Sequence, residues 1–193
     1  MGRNIGRNKL YSLNKLGQTN TNTVGDGLKG AVTSTVTRKG HRIYTEFVVD
    51  LAPTGVSIKS KDTAGDIIGI DGTAGAYLGQ LTPAVNGYIT NVEMICLELP
   101  TTGDDDIMLY AATEANGAYD GAIGDLAETL LIDPAGAWAL GKIDHYAATK
   151  GSAHDLGLED KYIYLAGNGD TAGTYDAGKF IITFEGYAVP DDK

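Results

Sequence analysis

Hydrophobic and polar residues alternate with period two along several short stretches of this chain, and that alternation predicts strands. Over residues 42–50, Ile43, Thr45, Phe47 and Val49 share one face, while Tyr44, Glu46, Val48 and Asp50 share the other. The last long run behaves alike: Phe180, Ile182 and Phe184 point one way, and Ile181, Thr183, Glu185 and Tyr187 the other. Residues 88–99 carry the longest strand signal, with a mixed parity after Glu93 that predicts a bulge or burial of both faces. Further strands are expected at 31–38, 56–59, 66–70, 76–81, 106–111, 138–143 and 161–166. One interlude reads as helix. Over 112–136, Ile123, Leu126, Ala127, Leu130 and Leu131 fall near helical spacing, and Pro134 would stop it. Eight or more short strands between glycine-rich turns predict an all-β, jelly-roll-like β-sandwich over 31–193.

Residues 1–30 lack this alternation and end in a stretch rich in Thr, Asn and Gly, which predicts an extended N-terminal arm. Leu10, Leu13 and Leu16 recur at spacing three and would suit a short helix within it. Charge separates the two parts. Residues 1–42 hold eight basic groups against Asp26 alone, and the remaining 151 residues hold seven bases and 24 acids. An acidic body repels a phosphate backbone, so no direct nucleic-acid partner is expected. A basic arm lying on an acidic neighbouring subunit accounts for the segregation. At 193 residues the chain has room for one domain of ordinary size. No apolar run approaches the roughly 18–20 residues that span a bilayer, and no membrane partner is expected.

Motifs with chemistry are sparse. Gly65-Asp-Ile-Ile-Gly69 and Gly167-Asn-Gly-Asp-Thr-Ala-Gly173 lack the lysine of a phosphate loop and the strand–loop–helix context of a dinucleotide site. Ser152, His154 and Asp155 contain the residue types of a triad, but such groups normally arrive from separate elements. His41, His145 and His154 have no zinc spacing around them. Cys96, the single cysteine, falls in a strand and reads as a packed thiol. Asp104, Asp105 and Asp106, with Asp120, Asp125 and Asp133 in loops or at their edges, are the residues that would suit calcium, although no EF-hand spacing is present. Asp62-Thr-Ala-Gly65 returns as Asp170-Thr-Ala-Gly173, with a variant at Asp71-Gly-Thr-Ala-Gly75, and repeated turn chemistry explains the echo. No catalytic, cofactor or metal residue is assigned, and the chain reads as a non-enzyme. Eleven tyrosines suit either interface anchoring or a sugar-stacking platform.

Residues 33–50, Thr63-Ala-Gly-Asp-Ile-Ile-Gly69, residues 89–99 and the run from Thr171 to Tyr187 together resemble virion structural proteins of tailed bacteriophages, notably phages of marine bacteria. The resemblance covers roughly residues 30–188 and rests on turn and strand patterns. It implies a capsid decoration, or cement, protein made in the bacterial cytoplasm and seated on a shell of major capsid protein. A homotrimer at a local three-fold axis is the simplest closed arrangement for such a part. The basic arm lies outside the resembling region. Its residues Arg3, Arg7, Lys9, Leu10, Leu13, Lys15 and Leu16 are the capsid-contact candidates by charge and spacing. The alternative is a glycan-binding module of a head fibre or tail.

Overall fold

A computed structural model of the chain describes residues 19–20, 22–147, 156–169 and 171–188. It is an all-β, antiparallel structure. Its strands in chain order are β1 (Thr19–Asn20), β2 (Val32–Lys39), β3 (Arg42–Asp50), β4 (Ile58–Ser60), β5 (Gly69–Ile70), β6 (Tyr77–Gln80) and β7 (Tyr88–Thr101). They continue as β8 (Ile107–Ala112), β9 (Thr129–Ile132), β10 (Ile143–Ala147), β11 (Tyr162–Gly167), β12 (Gly173–Thr174) and β13 (Ala177–Tyr187). A large sheet has the order β1-β2-β3-β13-β7-β10, a second has β6-β11-β8-β9, and a small one joins β12-β4-β5.

The alternation in the sequence sets which sides meet. Phe47 and Val49 of β3, Met94 and Cys96 of β7, and Phe180, Ile182 and Phe184 of β13 are buried on the inner face of the large sheet. They share one core with Leu78 of β6, Leu109 of β8 and Ile163 and Leu165 of β11. Two sheets closing over one core make a β-sandwich. Phe47 and Phe184 meet edge to face at 5.9 Å between ring centres. The sheets approach so closely at Gly79 that a Cβ there would lie 2.8 Å from the Phe47 ring. Trp138 closes one flank, its indole N–H donating to the Ile107 carbonyl at 2.8 Å while its ring meets Phe180.

Several expectations change. The helix over 112–136 does not form: that stretch holds one 3-10 turn, Ile123–Leu126, and then strand β9. Ala127 at φ +50° breaks the helical path, and the leucines at 130 and 131 alternate across a strand, with Leu131 buried and Leu130 exposed. The strand expected at 138–143 begins only at Ile143, because Trp138 turns into the core from a loop. In β7 the pairing with β13 shifts register near Ile89 and twice more beyond Cys96. Val92, Met94 and Cys96 therefore face the core, and Ile95 faces outward. Packing also starts before residue 31. Leu28 is fully buried in the core, and the Gly25 N–H donates to the Tyr77 carbonyl at 3.0 Å.

Candidate functional site

The outer face of the large sheet departs from the usual pattern of a solvated sheet. Outward positions of a half-buried sheet are normally polar. Here one cross-strand row reads Thr33, Val48, Ile181, Ile95 and Ile143, from β2 through β3, β13 and β7 to β10, every neighbour in direct register. Val48 is 39% exposed and Ile143 55% exposed. Leu97 and Leu99, farther along β7, and Leu140, in the loop before β10, are exposed as well. The row leaves this outer face more apolar than the outward side of a solvated sheet usually is.

Charge frames the band on both sides. On one side, Lys179 bridges Glu98 at 2.9 Å and Asp50 at 3.7 Å. Its ammonium, hydrogen-bonded to Glu98, holds that carboxyl below the usual range. On the other side lies the row Thr35, Glu46, Thr183, Glu93 and His145. Glu46 and Glu93 flank Thr183 and form no ion pair among the described residues. The far end of the face is aromatic and basic. Lys39, Arg42, Tyr187 and Tyr88 line up across four strands. The Arg42 guanidinium lies 5.6 Å from the centre of the Tyr187 ring and 3.1 Å from Glu185, and Lys39 lies over Tyr44. Hydrogen bonding to Tyr44, then the neighbouring Tyr187 and Glu185, raises the Arg42 pKa.

The acidic triplet is built into the scaffold. Asp104 is fully buried: its Oδ1 accepts the Asp106 N–H at 2.9 Å, and its Oδ2 accepts the Gly169 N–H at 2.7 Å. Its own N–H donates to Ser60 Oγ, and its carbonyl accepts the Tyr175 hydroxyl. Asp106 accepts from Asn168, Asp133 accepts the Ala135 N–H, and Asp120 pairs with Lys61. Among the described residues no group of three or more His, Cys, Asp or Glu side chains is arranged to hold a metal ion. Burial raises the Cys96 thiol pKa, and its Sγ lies 3.4 Å from the Glu98 carbonyl.

The capsid-contact candidates Arg3, Arg7, Lys9, Leu10, Leu13, Lys15 and Leu16 lie outside the described residues, as do Ser152, His154 and Asp155. His41 and His145 are exposed and stand apart from one another in the fold, in the β2–β3 turn and on β10. The apolar band escaped sequence reading because its members are scattered over four strands, and only the register joins them. The excess of apolar outward positions in residues 95–99 was the available signal. No family model, curated protein or solved structure matches this chain.

Proposed function

We propose that this chain is a non-enzymatic capsid decoration protein of a tailed phage, which binds a shell of major capsid protein and stabilises the head. The observation that carries the reading is the winding of the sandwich. Taken in chain order, the eight strands β3, β6, β7, β8, β9, β10, β11 and β13 form sheets ordered 1-8-3-6 and 2-7-4-5. That order supports the finer jelly-roll reading, a winding frequent in capsid and lectin domains. The turn and strand segments that resemble phage virion proteins fall on β2, β3, β7 and β13 of the large sheet, and on the β4–β5 loop, the start of β5 and β12 of the small one. A part repeated many times over a shell needs only modest affinity per contact to act collectively.

A second reading, a glycan-binding module of a head fibre or tail, draws on Tyr44, Tyr88 and Tyr187 grouped with Lys39 and Arg42 at one end of the face. Aromatic rings beside cations suit the stacking and charge of an acidic sugar. Cosedimentation with empty heads assembled from the major capsid protein of the same genome separates the two. Saturable binding at a fixed copy number per head supports decoration. A protein left in the supernatant that binds acidic glycans on an array, and loses them on Tyr187→Ala, supports the second reading.

A further inference from the structure

We infer that the outer face of the large sheet seats residues 1–18 of a second copy of this chain. This goes beyond shell binding and does not depend on it. Of the two partners that the sequence offers Arg3, Arg7, Lys9 and Lys15, the shell and an acidic neighbouring subunit, it takes the second and makes that subunit another copy of this chain.

Complementarity is the first argument. The face offers an apolar row, Val48, Ile181, Ile95 and Ile143, and beside it the carboxylates of Glu46 and Glu93 with no cation paired to them among the described residues. Residues 1–18 carry four basic groups and no acid, interleaved with Ile5, Leu10, Tyr11, Leu13 and Leu16. The whole chain has a net charge of −10, to which those 18 residues contribute +4, so the segment is attracted to the rest of any copy. An apolar band covered by leucines and rimmed by charge pairs is the usual anatomy of a specific interface.

The direction of entry favours a second copy over the segment's own chain, and the reach is ample. β1 runs antiparallel to β2, with Thr19 opposite Thr37 and Asn20 opposite Val36. At Thr19 the chain thus enters β1 from the Lys39 end of β2. The apolar row crosses β2 at Thr33, towards the opposite end of the sheet. To cover its own row the segment would have to reverse and run back along the length of the strands. A second copy can present its row ahead of the Lys39 end, where no such reversal is needed. Eighteen residues extend to about 60 Å, and the row crosses four strand spacings, about 19 Å.

The test uses two variants that each keep one half of the contact. The full-length chain, a truncation lacking residues 1–18, and full-length Ile143→Glu are sized by light scattering, with Ile181→Glu as a second face variant. Near-ultraviolet circular dichroism from Trp138 and the tyrosines checks that each one folds. The full-length chain is expected to associate, and the truncation and both face variants to remain monomeric, with the dissociation constant raised about 30-fold or more for Ile181→Glu, at the middle of the row, and about 10-fold or more for Ile143→Glu, at its end. Mixing the truncation, which keeps the face, with Ile143→Glu, which keeps the segment, should restore association of the truncation's intact face with the variant's segment. Raised salt should weaken that complex. A full-length chain that is monomeric, a truncation that still associates, or a mixture that stays monomeric while both variants are folded would each overturn the proposal.

Discussion

Replacing Asp104 by alanine should destabilise the fold more than any other single acid among the described residues. Its carboxylate accepts two backbone N–H groups, from Asp106 at 2.9 Å and Gly169 at 2.7 Å, and so ties the loop before β8 to the loop after β11. The space is made for it: a Cβ on Gly167 would lie 2.6 Å from Asp104 Oδ2. A hydrogen bond to a charged acceptor contributes about 1.5–3 kcal/mol net, and water replaces part of it at the half-exposed Gly169 and Asp106. Removing both leaves a loss of about 3 kcal/mol. With a urea dependence of about 2 kcal/mol/M, the unfolding midpoint falls by about 1.5 M. Asp104→Asn should recover little, because its amide turns a donor towards one of the two N–H groups. Urea titration followed by Trp138 fluorescence measures both variants, with calcium and with a chelator. A midpoint shift for Asp104→Ala below about 0.3 M, or a midpoint that rises on adding calcium, would refute the argument that the carboxylate is consumed by the backbone.

Other consequences are as direct. Gly79→Ala would push a methyl into the Phe47 ring, 2.8 Å away, and should cost about 1–3 kcal/mol of stability, read as a lower urea midpoint. Cys96, fully buried and with its thiol pKa raised by desolvation, should stay unreactive to a disulfide reagent at pH 8 in the folded protein and react fully in denaturant. Burial pushes the Tyr164 hydroxyl up to about 12. The unfolded chain then loses that proton first as pH rises, so this contribution to stability is complete below about pH 10 and is lost between about 10 and 12. Thermal melts at pH 9, 10 and 11 should show a falling midpoint, and Tyr164→Phe should fall less steeply.

What the sequence disclosed depended on how regularly each strand is buried. β3 and the core-facing stretch of β13 from Phe180 to Phe184 are buried on one side without interruption, so Ile43–Val49 and Phe180–Phe184 alternate cleanly and were legible. β7 shifts register three times against β13, and the interrupted parity looks like noise until the partner strand is known. The run from Ile123 to Leu131 misled because one 3-10 turn followed by a short strand puts apolar residues at nearly helical spacing; the break at Ala127 lies in the backbone. Asp104 read as a calcium candidate because three adjacent acids look alike in sequence, while the structure buries one and leaves Asp105 exposed. The apolar row was illegible for a deeper reason: Val48, Ile181, Ile95 and Ile143 are neighbours only through pairings of high sequence separation.

The reading as a shell-binding part is tested most directly by comparing reconstructions of heads with and without the protein. The account predicts added density at repeated symmetry-related positions, each holding sandwiches of this shape, with connecting density from one copy's β1 edge to the outer sheet face of the next. Heads that look identical with and without a saturating amount of the protein would contradict it.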